Sequence, residues 1–90
     1  MSEKIDRNFN LKGELMVKIK LLSSNDVAIF VNICNNYDCD INCKMGSFLF
    51  DAKSLVAMIQ TICNEIEIEL ITDNNDLKDV FYEEIKLWIV

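Results

Sequence analysis

The 90-residue chain has no histidine, no proline and only two glycines, Gly13 and Gly46. Without imidazole a serine nucleophile has no ordinary general base, and a zinc site would have to be built from cysteine alone. The lack of proline and the scarcity of glycine argue against disordered linkers and low-complexity segments. Basic residues are the minority, nine against fifteen acidic ones, for a net charge of -6. The acids are scattered and form no tail. Phosphate neutralisation needs clustered Lys and Arg, so neither nucleic acid nor an anionic membrane is expected as a partner. No apolar run approaches the ~20 residues of a membrane span. Residues 2 to 14 mix charges and hold no apolar signal-peptide core, so a cytoplasmic protein is expected.

What remains is a core-forming composition. Hydrophobic residues make up 51% of the chain, enough to pack one small domain. The four cysteines, Cys34, Cys39, Cys43 and Cys63, include no C-x-x-C pair. They read as reduced core residues acting as small hydrophobes, with no metal and no cofactor, a disulfide or metal site being the alternative. Cys39 alternates with Ile41, Cys43 and Met45 on one face of a strand, and Cys34 and Cys63 sit in apolar helical runs.

Residues 1 to 14 read as an N-terminal extension and 15 to 90 as the folded domain. Leu15 to Leu22 alternate as a first strand. Ser23 or Ser24 then caps a helix reaching about Asn35, and Ser23-x-x-Asp26 resembles a capping box. Val27, Phe30, Val31 and Cys34 give that helix an apolar stripe. Strands are predicted over 38 to 44, about 48 to 50, and 65 to 72. A second helix runs from Leu55, capped by Ser54, to about Cys63. A last helix, Leu77 to Val90, carries Leu77, Phe81, Ile85 and Trp88 on one stripe. The order is β-α-β-β-α-β-α, which suits a sheet with one wet face and one face covered by helices.

This order, the strand "YDCDINC" and above all "FDAKSLVAMI" resemble the HPr phosphocarrier family of the bacterial sugar phosphotransferase system. The likeness runs ungapped from about Val17 to Ile62 and, after one deletion near Asn64, to the C-terminus. It implies an α+β open-faced β-sandwich, with a four-stranded antiparallel sheet of order 1-4-2-3 and three helices on one face. It also implies two positions of interest. The family's phosphorylated histidine falls on Ser23, its arginine on Asn25 and its proline on Asp26, so all three diagnostic residues are replaced. The regulatory serine of Gram-positive members falls on Ser54 and is kept. The family's docking surface falls on Leu55, Val56 and Ile59, with Ser24 and Asn25 beside the replaced acceptor.

Serine at the acceptor position would form a stable phosphate ester instead of a high-energy phosphoramidate. Asn25 removes a bidentate phosphate ligand, and Asp26 adds repelling charge. The sequence thus predicts no catalytic residue and no enzyme. The expected function is a non-catalytic regulatory or protein-binding module, controlled by phosphorylation at Ser54. Its partners would be a serine kinase/phosphorylase or a transcriptional regulator. Two alternatives stand beside it: a phosphocarrier with a non-histidine acceptor, and a structural or assembly module without phosphorylation. For Ser23, Ser24 and Ser54 the plainer reading is helix capping alone. For the apolar second helix it is cover by oligomer contacts or by the N-terminal residues. The oligomeric state is left open.

Overall fold

In the computed structural model, residues 8–9 and 15–90 are described. Apart from Asn8–Phe9, the expected N-terminal extension lies outside them. Strict alternation over Leu15–Lys20 makes the first long strand, β2, with Val17 and Ile19 buried and Lys18 exposed. A two-residue strand, β1 (Asn8–Phe9), pairs with its start. The remaining strands are β3 (Asp40–Met45), β4 (Phe48–Asp51) and β5 (Glu65–Ile71). All neighbours are antiparallel, in the order β1-β2-β5-β3-β4. Leaving out β1, this is the order 1-4-2-3 that the resemblance implies; β1 adds one short strand at the edge.

Helix α1 (Ser24–Cys34) buries the stripe Val27, Phe30, Val31 and Cys34, as its spacing predicts. Ser23 is the N-cap: its Oγ accepts from the Asp26 N–H at 3.1 Å. Asp26 Oδ2 in turn accepts from the Leu22 N–H at 3.0 Å. The box therefore closes on Leu22, one residue further out than the usual reciprocal bond to the capping residue.

Helix α3 (Asn75–Ile85) is capped by Asn74 and continues as a 3₁₀ turn, Lys86–Trp88. Starting at Asn75 extends the expected helix by two residues at its front. The last residues leave the helix: Ile89 bridges to Ile19, and Val90 N–H donates to Lys18 O at 3.1 Å.

The core lies between the helices and one sheet face. Ile19, Ile41, Cys43, Ile66, Ile68 and Leu70 from the sheet meet Phe30, Cys34, Met58, Phe81 and Ile85 from the helices. Each large apolar side chain fully withdrawn from water contributes about 1.5–3 kcal/mol. Trp88 meets Phe30 edge-on at 5.8 Å between ring centres, and Tyr37 meets Phe81 the same way at 5.2 Å. The other sheet face is polar. Lys18, Glu67 and Lys44 form one row across β2, β5 and β3, and Lys44 Nζ lies 3.8 Å from Glu69 Oε1.

Two further sequence expectations are corrected. The second helix does not reach Cys63. It is α-helical only over α2 (Leu55–Met58), then 3₁₀ over Ile59–Thr61. β-branched Ile59, Thr61 and Ile62 weaken helix propensity there, and the Thr61 hydroxyl donates to Met58 O at 2.7 Å. Cys63 is consequently not a helical core residue. It is exposed and left-handed, with φ of 65°, in the turn entering β5. The other cysteines follow the pattern, with Cys34 and Cys43 buried and Cys39 half-buried, all four as free thiols.

Candidate functional site

The residues singled out by sequence fall at two places. Ser54, Leu55, Val56 and Ile59 gather around the start of α2, while Ser23, Ser24 and Asn25 stand at the start of α1. The chain fixes their separation. Cys63, just past the end of the second helix, donates its N–H to Leu21 O at 2.6 Å, beside the start of α1. Asn35, at the other end of α1, bonds Lys53 O through Nδ2 at 3.0 Å. The α2 start thus faces the C-terminal end of α1. An 11-residue helix is about 16 Å long, so Ser23 and Ser54 do not share one pocket.

Ser54 is half-buried and caps α2, its Oγ accepting from the Ala57 N–H at 3.3 Å. The turn before it is tightly held. Asp51 Oδ1 accepts from the Lys53 N–H at 2.9 Å, and Asp51 O accepts from the Ser54 N–H at 3.0 Å. Lys53 Nζ donates to Tyr37 O, and the Tyr37 hydroxyl donates to Glu84. A clasp therefore runs from α3 through the loop after α1 to the residue preceding Ser54. Lys53 turns its ammonium towards that loop, while the Asp51 carboxylate stays in the turn that leads to Ser54.

Next to this serine the surface is apolar. Val56 is 81% exposed, Leu55 49% and Ile59 40%. Met58, on the opposite side of the same turn, is fully buried and anchors it. The short helix presents three of its apolar residues outward because a single α-turn can bury only one face.

The α1 start is plainer. Ser23, Ser24 and Asn25 are exposed, and Ser23 spends its oxygen on the cap. Asp26 is the acidic residue of the first turn, where its charge favours the helix and opposes an incoming anion. Among the described residues no His, Cys, Asp or Glu cluster could hold a metal ion, and no helix is long and apolar enough to cross a membrane. The thiols are poor nucleophiles where buried: burial raises Cys34 strongly, pushes Cys43 up to about 12 and also raises Cys39. Burial and the bond to Glu84 likewise raise the Tyr37 hydroxyl.

Sequence reasoning did not find the bonds that Lys53 makes to Asn35 and, within the clasp, to Tyr37. They join residues 18 and 16 positions apart, and no local pattern encodes such pairs. It also passed over Phe48 and Leu49, 62% and 63% exposed at the sheet edge. There the signal was available, since "FLF" is apolar on both faces, although only Phe50 packs against the core.

The fold is that of an HPr-like open-faced α+β domain. Among solved structures the chain is similar to HPr-C-His from Thermoanaerobacter tengcongensis, seen in a crystal structure, with a TM-score of 0.63 and 16% sequence identity over 81% of this chain and 90% of that one. At this identity the likeness is one of fold. No family model matches the sequence, and no curated protein matches it.

Proposed function

We propose that this chain is a divergent HPr-like protein that has lost phosphocarrier chemistry and acts as a non-catalytic regulatory or protein-binding module, controlled at Ser54. The observation that carries this reading is the pairing of a capping serine with three exposed apolar side chains, Leu55, Val56 and Ile59, on an HPr-like fold without any histidine. A docking surface of this kind fits a protein partner. Phosphate on Ser54 would sit beside Asp51 and change the charge next to that surface without unfolding α2. The partner would be a serine kinase/phosphorylase or a transcriptional regulator, in the cytoplasm.

A phosphorelay role is disfavoured by chemistry. Ser23 is committed to its cap, has no histidine to activate it and would form an ester too stable to pass on. Two incubations test the proposal: one with enzyme I and phosphoenolpyruvate, one with the serine kinase and ATP. The expected result is no label in the first and acid-stable label, absent in Ser54→Ala, in the second. Acid-labile label passed to a sugar-specific acceptor would overturn the reading. No label in either, where a genuine HPr accepts both, would leave an assembly module with Ser54 as a cap.

A further inference from the structure

Among the described residues no strand pairs with the outer edge of β4, which has the composition and symmetry of a self-pairing strand. Natural edges are guarded by Lys, Pro, bulges or covering loops. β4 has no such residue between Ser47 and Phe50, and Phe48 and Leu49 are among the most exposed large apolar residues described. The hairpin register decides which backbone groups are free. Ala52 N–H donates to Ile41 O at 2.9 Å, and Met45 and Phe48 close a turn whose Gly46 has φ of 61°. Antiparallel bonding alternates along a strand. Phe48 and Phe50 thus turn their N–H and C=O groups towards β3, while Leu49 turns both of its groups outward and Asp51 its N–H. The Asp51 carbonyl is already taken by Ser54 N–H.

The segment Ser47-Phe48-Leu49-Phe50-Asp51 reads nearly the same in both directions about Leu49. A two-fold axis through Leu49 makes such a strand complementary to itself, which is the requirement of an isologous interface. We propose that β4 pairs antiparallel with β4 of a second copy of this chain, joining the two sheets into one. Leu49 then exchanges both backbone bonds with its symmetry mate, and Asp51 N–H reaches Ser47 C=O. Phe48 comes opposite Phe50 of the other copy on the helix-covered face, at the positions of closest cross-strand approach. These two rings are already stacked within one chain, 6.1 Å apart and 8° from parallel. The inference is independent of any role for Ser54.

Charge argues for a weak, salt-sensitive dimer. Each copy carries -6, but the edge contributes only Asp51, whose Oδ1 is held by Lys53 N–H. The copies repel at long range and not at the contact, so screening should strengthen the pair. A five-residue edge is small for a specific interface, which points to a Kd on the order of 10–100 µM.

The test is sedimentation equilibrium of the full chain from about 5 µM to about 1 mM, a range that brackets that affinity. The parent should dimerise, more so at high salt. Leu49→Lys, which sets two ammonium groups opposite each other across the axis, should weaken the dimer ~tenfold or more. Leu49→Pro removes an N–H that β3 does not use, so an edge strand tolerates it, yet the dimer loses both bonds that this N–H and its mate donate. Unchanged circular dichroism and melting in the Lys variant would separate lost pairing from lost folding. Val56→Glu, on α2, should leave the dimer intact. A parent monomeric at the highest concentration overturns the proposal, and if it then binds an extended apolar peptide, the edge serves another protein. A dimer that survives Leu49→Lys, or one abolished by Val56→Glu alone, overturns it too.

Discussion

Val56 and Cys63 show how far a single residue can depart from what its type suggests. Both belong to an apolar run, and both face water. For Val56 the consequence is a mild substitution: Val56→Glu should shift the unfolding free energy by no more than about 1 kcal/mol, as surface changes usually do. Urea denaturation measures this, and a loss of several kcal/mol would mean that the residue is covered in solution. For Cys63 the consequence is chemical. It is the exposed thiol of the four, so a thiol reagent should modify it first. Half-buried Cys39 should follow. Cys34 and Cys43 should react only on unfolding, because burial both shields them and suppresses the reactive thiolate. Simultaneous reaction of all four in native protein would contradict this order.

At the level of elements, α2 is where local propensity and tertiary demand meet. Its four α-helical residues would not persist alone; buried Met58 and the clasp through Lys53 and Tyr37 hold them in place. Ser54→Ala should therefore cost about 0.5–1 kcal/mol, the lower half of the range for a lost cap, and should leave the fold unchanged by circular dichroism. A collapse of the whole domain would show that the cap organises more than its own turn. The same element marks the limit of what was legible in the sequence. Strand alternation in "EIEIEL", the stripe Val27-Phe30-Val31-Cys34 and the Ser23 cap carry their structure locally, so order, faces and caps could be read off. The end of α2 could not, because "IQTIC" is apolar at helical spacing while β-branching and the left-handed turn at Cys63 favour stopping. The outward side of α2 was legible only through the resemblance to HPr. The β4 edge was legible, since the order 1-4-2-3 implied by the resemblance ends on this strand and "FLF" carries no polar alternation, yet the two signals were not combined.

For the whole molecule, the two buried thiols and Tyr37 set a boundary at alkaline pH. Each is neutral in the folded protein. Cys43 rises from an ordinary value of 9.0 to about 12; Cys34 and Tyr37 are raised as well, chiefly by burial. Below about pH 9 these groups are protonated in both states, so they add no pH dependence. Above it the unfolded chain releases protons that the folded chain keeps. The unfolded state then binds fewer protons, and stability must fall as pH rises. Stability measured by urea denaturation should accordingly fall progressively between about pH 9 and 12, the window set by Cys43. Cys43→Ala should start from a lower stability, since it removes buried volume, but should show a shallower decline over the same window, because one titrating group is gone. An unchanged slope in that variant would mean that the Cys43 thiol ionises as easily folded as unfolded, and the packing of β3 against the helices would then be looser than the buried positions of Cys43, Ile41 and Ile68 require.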